Sequence, residues 1–417
     1  MAIIRAFRAV RPTQDKAHLV AALPYDVMNS QEARQMVQGN PYSFLHVDKA
    51  EIDLDPSIDL YDTRVYEKAR DNLNGMIAEG VFCQDENPCL YIYKQVMNGR
   101  AQIGIVACAS IDDYKNNVIR KHELTRADKE QDRINHVDYC DANTGPIFLT
   151  YRSREEVNQL IEAQMAAKPP VYDFVSEDGI GHTVWVMDDP AVIEKICGIF
   201  QNIENLYIAD GHHRCASAVR VGGMRRAEKK DYTGEEEFNY FLSVIFPDEQ
   251  LYVMDYNRIV KDLNGNTPEG FMEKVQEKFA VTPYGGNGAL KPEKKHTFGM
   301  YLAGKWYLLE AKAGTYDPCD PVAQLDVSIL QNNLLSPILG IGDPRTDKRI
   351  DFVGGIRGLD TLSAQVDEGS MAVAFSMYPT TMDDLMDIAD ADAIMPPKST
   401  WFEPKLRSGL FVHKLSE

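Results

Sequence analysis

The chain has 417 residues, more than one ordinary hydrophobic core accommodates, so two or three substructures are expected. Its 44 basic and 63 acidic residues leave a net charge of −19, which argues against sequence-independent DNA binding, because that rests on Lys and Arg neutralising phosphates. A small phosphorylated ligand needs only a local basic pocket and stays open. The seven cysteines include no Cys-x-x-Cys pair and read as reduced, mostly buried thiols. The start, Met1-Ala2-Ile3-Ile4-Arg5, lacks the apolar run of a signal peptide, and no stretch approaches a membrane span, so a cytoplasmic protein without membrane partners is expected.

In chain order, Leu23 to Asn29 is a turn signal, and Ser30 to Val37 reads as a helix with Ser30 as N-cap. Tyr61 to Gly80 carries apolar residues at helical spacing and closes on Gly80. Pro88 to Val96 and Ala101 to Ile111 read as strands joined by Asn98-Gly99, a strong hairpin signal. A charged helix over Arg126 to Val137, a strand over Ile147 to Tyr151 and a helix over Glu155 to Ala167 follow. Val171 to Met187 reads as a hairpin around Asp178-Gly179, and Pro190 to Phe200 as a helix.

Leu206-Tyr207-Ile208-Ala209 then looks like the end of a buried strand, broken by Asp210-Gly211. The small-residue run Cys215 to Ala218 has the look of a tightly packed helix. The free N–H groups at such a helix start make a natural anion site. His212, His213 and Arg214 add donors suited to phosphate, the Arg able to grip two oxygens. The plainer alternative is a capped helix whose Arg pairs with a surface carboxylate. Beyond a charged stretch at Arg225 to Glu237, Phe241 to Phe246, Leu251 to Met254, His296 to Leu302 and Lys305 to Leu309 are strand-like. A helix over Pro268 to Phe279 is interleaved with them. Hairpins and helices without a βαβ rhythm predict an α+β fold, divided into regions 1–240 and 241–417.

Other clusters could carry chemistry. Arg120-Lys121-His122-Glu123-Leu124-Thr125 follows a strand, with Thr125 placed to cap the next helix. Lys129 and Arg133 lie four apart and share one helix face, which suits a polyphosphate as well as it suits plain intrahelical ion pairs. Asp26 in Pro24-Tyr25-Asp26 is either a turn residue or a general base. The tail mixes Lys398, Ser399, Thr400, Trp401 and Lys405 among prolines. The acidic run from Asp383 to Asp392 reads as a solvated helix face, and no Walker-type Gly-Lys-Ser/Thr occurs.

Several of these segments together resemble the family catalogued as DUF1015 proteins. The matching stretches are Phe7 to Pro12, Pro24-Tyr25-Asp26-Val27, Asn40 to Val47, His122-Glu123-x-Thr125, Lys129-x-x-Asp132-Arg133, Asp210-Gly211-His212-His213-Arg214 and Met395 to Phe402. The Asp210 to Arg214 segment is also similar to the phosphate motif of the ParB/sulfiredoxin superfamily. Partition proteins there carry Gly-Glu-Arg-Arg where this chain has Gly211-His212-His213-Arg214. Sulfiredoxins need a Cys at the place of His212. The resemblance therefore implies a ParB/sulfiredoxin-like core and a kinase that phosphorylates free L-serine using ATP or ADP with Mg²⁺. It implies Gly211, His212, His213 and Arg214 on the nucleotide phosphates, supported by Thr125, Lys129 and Arg133. Asp26 or Glu123 would be the base, Glu123 also a metal ligand, and His122, Asp210 and Lys398 substrate contacts. A nucleotide-binding regulatory protein is the alternative, and a hydrolase or transferase acting on another phosphorylated metabolite is a third.

Overall fold

In a computed structural model, which describes residues 1–416, the apolar runs of the first part of the chain become a nine-stranded mixed sheet. Its strands are β1 (Ile4–Arg5), β2 (Leu90–Met97), β3 (Arg100–Ser110), β4 (Ile119–Arg120), β5 (Ile147–Tyr151), β6 (Tyr172–Val175), β7 (Gly181–Met187), β8 (Leu206–Asp210) and β9 (Tyr240–Pro247). They run in the order β4-β8-β5-β9-β3-β2-β7-β6, with β1 paired to β3. Asn98 and Gly99 both take positive φ, the conformation a two-residue turn between right-twisted strands requires, and so set the β2–β3 register.

The sheet belongs to the first of two compact units, formed by Met1–Leu251 and the C-terminal segment from Pro404 onward. The second unit is Tyr252–Glu403. The structural division thus follows Leu251, whereas the boundary expected at 240/241 falls at the start of β9. In the first unit, Leu90, Ile105, Ile147, Leu149, Leu206 and Ile245 form a core with Val157, Ile161, Ile196 and Phe200 of the two helices Glu155–Ala167 and Pro190–Phe200. A second cluster in this unit joins Val10, Phe44, Leu45 and Val412 to Val65, Ala69 and Leu73 of helix α1 (Thr63–Ala78).

Two features position the site. First, β4 and β8 are parallel neighbours, Ile119 opposite Leu206 and Arg120 opposite Tyr207, so the chain leaves both strands at the same end. Second, helix α2 (Ala127–Cys140) packs against both α1 and helix α3 (His212–Glu228). The small-residue run permits close packing: Cys215 and Ala218 sit in the sheet core.

The second unit carries a six-stranded sheet of β10 (Tyr256–Val260), β11 (Phe279–Pro283), β12 (Thr297–Leu302), β13 (Lys305–Ala311), β14 (Ile350–Gly354) and β15 (Val373–Met377), ordered β11-β13-β12-β15-β10-β14. All its pairings are antiparallel. Ile259, Leu290, Tyr301, Val353 and Leu362 form its core. The fold class is α+β, as expected. Leu251 to Met254 forms only an isolated bridge at Val253, and the strand begins later, at Tyr256. The early helix is capped by Asn29 and not by Ser30: Asn29 Oδ1 accepts from the Gln31 and Glu32 N–H groups, and Glu32 returns a bond to the Asn29 N–H. No helix among the described residues is long and apolar enough to cross a membrane.

Candidate functional site

The turn after β8 is built by three devices. A register shift against β5 between Ile208 and Asp210 turns the strand end away from the ladder. Gly211 follows with φ +91°, a conformation that strains any L side chain. A Cβ there would also stand 3.1 Å from Arg214 Nε and 3.2 Å from Cζ, so the glycine leaves room for the guanidinium that folds back over it. The helix then begins at His212 with no side chain capping it, and its first N–H groups stay available to an anion.

Asp210 anchors the turn. Its Oδ1 accepts the Gly211 N–H at 2.9 Å, and its Oδ2 faces Lys405 Nζ at 3.0 Å. Burial alone would raise this carboxyl, but Lys405 and Arg214 outweigh burial and hold it well below the usual carboxylate range. Asp210 is therefore a committed anion, and its role is to fix Lys405 and the turn.

Arg214 Nη1 donates to the Pro146 carbonyl at 2.6 Å, while its Nε–H is buried with no partner among the described residues. Burial opposes its charge, and Asp26, Asp210, Tyr25 and Asp48 more than compensate. Asp26 lies in a single turn, Tyr25–Val27, whose preceding Pro24 fixes the approach. The neighbouring Tyr25 ring carries the Arg133 guanidinium 4.1 Å from its centre. Arg133 also reaches Asp132 at 2.8 Å, and Asp132 is held by the Tyr66 hydroxyl at 3.0 Å. Tyr25, Asp48, Arg133, Thr144 and Arg214 line a cavity of about 20 Å³ between α2 and α3, room for a single water. Two arginines from packed helices and the Asp48 carboxylate thus line one cavity, and the exposed Asp26 is close enough to Arg214 to support its charge. Each is placed by a different element.

His213 Nε2 accepts the backbone N–H of Arg126 at 3.0 Å. Burial pushes its pKa down, with Asp26 and Glu130 pulling the other way, so the ring is neutral with its proton on Nδ1. His212 behaves differently. Its ring is buried and meets the His122 ring edge to face at 4.5 Å, with Glu123 Oε2 3.7 Å from its Nδ1. Burial lowers His122 to about 4 and His212 well below its ordinary value, the second ring adding to the effect on His212. Both imidazoles are neutral at pH 7. His212 can meet an anion through its backbone N–H, and its side chain belongs with His122.

The other expected residues are placed as follows. Thr125 does not cap α2: Arg126 occupies the cap position without a side-chain bond, and Thr125 Oγ1 donates to Glu130 at 2.6 Å. The cause is register: the helix begins at Ala127, so the cap position falls on Arg126, one residue beyond Thr125. Lys129 Nζ donates to the Tyr61 hydroxyl at 2.9 Å and stands at the rim, whereas Arg133, one turn on, is largely buried. Lys398 belongs to the second unit, where its carbonyl accepts from Arg258 and its ammonium lies 5.5 Å from the Tyr256 ring centre. Asp48 was missed. Buried and bonded to Thr144 at 2.7 Å, it follows directly on the Asn40 to Val47 segment, the one signal that could have drawn attention to it.

A family model described as "Protein of unknown function (DUF1015)" matches residues 4–328. The chain belongs to this family. Within this DUF1015 protein the matched stretch takes in every group around Arg214 except Lys405, and Lys398 also lies beyond it. Comparison with curated proteins returns no match. Among solved structures the chain is similar to a conserved hypothetical protein from Pyrococcus furiosus, at 15% identity, TM-score 0.34, covering 74% of this chain and 94% of that one. It is also similar to a free serine kinase in complex with AMP, at 14% identity, TM-score 0.37, covering 74% and 91%. A third is SbnI with a C-terminal truncation from Staphylococcus aureus, at 9% identity, TM-score 0.39, covering 73% and 85%. Similarities of this size leave the chemistry to be read from the chain's own residues.

Proposed function

We propose that this DUF1015 protein is a small-molecule kinase with a ParB/sulfiredoxin-like phosphate turn, transferring a phosphoryl group from ATP or ADP to the hydroxyl of free L-serine. The observation that carries the reading is Arg214: a buried guanidinium with an unpartnered Nε–H, folded over an uncapped helix start and facing Asp26. A buried donor left unmet costs about 1–3 kcal/mol, and an anionic ligand removes that cost.

In this reading the Gly211 turn and the first N–H groups of α3 take the phosphates, with Arg214 and Arg133 neutralising charge and Lys129 at the rim. The serine hydroxyl oxygen attacks the terminal phosphorus, its proton passes to an Asp26 carboxylate oxygen, and the phosphorus–oxygen bond to the nucleotide breaks. The products are O-phospho-L-serine and the nucleotide shortened by one phosphate. Asp26 is an exposed carboxylate, a hard oxygen donor of the kind that suits Mg²⁺, which when bound would neutralise phosphate charge. Asp26 is the base because it faces Arg214 and His213, whereas Glu123 faces His212. His122, Asp210 and Lys405 support the turn.

The test is purified protein with ATP or ADP, Mg²⁺ and a panel of free amino acids, followed by ³¹P NMR. A phosphomonoester resonance that appears only with serine is the expected result. Tight nucleotide binding with no serine-dependent product overturns the reading in favour of a nucleotide-sensing protein.

A further inference from the structure

The paired histidines behind the turn need an explanation that phosphate binding does not supply. His122 is 1% and His212 5% exposed, and both nitrogens of His122 and Nε2 of His212 are buried without a partner among the described residues. A core histidine ordinarily bonds a carbonyl, a carboxylate or a water, and most buried polar atoms in folded proteins have such a partner. Here three of the four ring nitrogens lack such a partner, and the two rings face each other. Their meeting is not local either: the β4–β8 parallel pair brings together loops some 90 residues apart.

Glu123 completes the group. One donor atom from each of His122, Glu123 and His212 lies within 4.8 Å of the others. Two imidazole nitrogens and a carboxylate oxygen make a borderline donor set that suits zinc-class ions. Mg²⁺ instead demands oxygen ligands in near-ideal octahedral geometry. We propose that His122, His212 and Glu123 bind one divalent ion of the zinc class, at a site distinct from any Mg²⁺ that accompanies nucleotide.

Zinc bonded to nitrogen at about 2.0 Å separates tetrahedral donors by about 3.3 Å, so the group must close on binding. Glu123 makes that movement, because its side chain is 50% exposed while the His212 side chain is 4% exposed. Three protein ligands leave a fourth position open. A water would fill it, the pattern of a reactive zinc site and not of a closed structural one.

The experiment uses the full chain, stripped with a chelator and titrated at pH 7 with Zn²⁺ by calorimetry and with Co²⁺ by visible absorption, without nucleotide. One equivalent of each ion is expected to bind, Co²⁺ with the visible bands of a four- or five-coordinate nitrogen–oxygen site. His122→Gln should weaken binding at least ~100-fold, since even loss of a supporting partner costs about 10–100-fold. Glu123→Gln, at an exposed position that spares the fold, should weaken it by at least ~10-fold. Folded wild type that takes up no stoichiometric ion overturns the proposal, and so does undiminished binding by Glu123→Gln or by folded His122→Gln. The result is independent of the kinase reading, because nothing in the titration requires nucleotide or serine.

Discussion

Asp210 in the first unit is a partly buried carboxylate and Asp326 in the second a buried one, and their charge states are opposite. Asp210 has Lys405 at 3.0 Å and Arg214 beside it, and stays ionised. Asp326, 8% exposed, accepts one backbone N–H from His296 at 2.8 Å and leaves Oδ2 buried without a partner among the described residues. Burial pushes its carboxyl up to about 7, and nearby Asp384 adds to the shift. Lys295, the nearest cation, is engaged by Asp384 at 2.6 Å and offsets little. Burial is thus a common background, and the placement of cations decides the charge state. In the first unit three cationic side chains, Arg133, Arg214 and Lys405, gather within reach of one turn, which is what a polyphosphate requires.

The largest expected effect comes from removing the central cation. Arg214→Ala should lower phosphotransfer at least ~100-fold with the fold intact, since such a donor is worth about 3 kcal/mol or more at developing phosphate charge. Arg214→Lys should rescue poorly, because a point charge replaces a fork that also bonds the Pro146 carbonyl. Turnover, nucleotide titration and circular dichroism on both variants check this, and near-normal kcat/KM in Arg214→Ala would remove the functional difference between the two units.

Next comes the base. Asp26→Asn keeps the shape of the side chain but cannot take a proton, so kcat should fall about 100-fold while nucleotide affinity is spared. Glu123→Gln measured beside it separates the two carboxylates. A larger loss in Glu123→Gln than in Asp26→Asn would move the base to the His122 side of the turn.

Much of the first unit was legible from local patterns. The Asn98-Gly99 hairpin, the β5 strand and the helices Glu155–Ala167 and Pro190–Phe200 appear where alternation and spacing placed them. The strand, break and helix at Leu206 to Ala218 were readable because Asp-Gly and a small-residue run are strong local signals. In the second unit β14 lies inside the segment 340–358, where glycines and charged residues break any alternating pattern. The missing parts of the site are all long-range. Nothing near Asp210 in sequence announces Lys405, and nothing near His122 announces His212. The parallel β4–β8 pairing and the return of the chain at Pro404 create those contacts. Thr125 was misassigned because local pattern does not fix where a helix starts to within one residue, and here the cap falls on Arg126.

A smaller effect tests the anchoring of Asp210. Lys405→Met preserves the side-chain stem and removes the charge facing a carboxylate that is 29% exposed. The pair lies between a surface bridge and a fully buried one, so a loss of about 2 kcal/mol in unfolding free energy is expected from denaturant titration. Asp210→Asn in the same background should recover part of that loss, because the uncompensated charge is then gone. Additive losses in the double variant would show that the two groups do not act as a pair.

The smallest effect, and the sharpest for the comparison, is the pH dependence set by Asp326. Its folded-state pKa lies near 7 and its unfolded value near 3.9, so between these limits the native state binds a proton that the unfolded state releases. The sign follows directly. Stability contributed by the protonated carboxyl is present at pH 4 and falls as pH rises through about 7. Asp210 has the opposite sign, because its depressed pKa contributes stability that is lost only on acidification. The limiting slope is about 1.4 kcal/mol per pH unit, and local relaxation around Asp326 should reduce the change between pH 5 and pH 7 to about 1 kcal/mol. Asp326→Asn keeps an acceptor for the His296 N–H and cannot ionise, so it should lose this slope, and its stability should change less than that of wild type between pH 5 and pH 7. Chemical unfolding of both proteins across pH 5 to 8 reads the difference. Parallel curves would mean that Asp326 is ionised throughout, and the contrast with Asp210 would then lie in burial and not in charge.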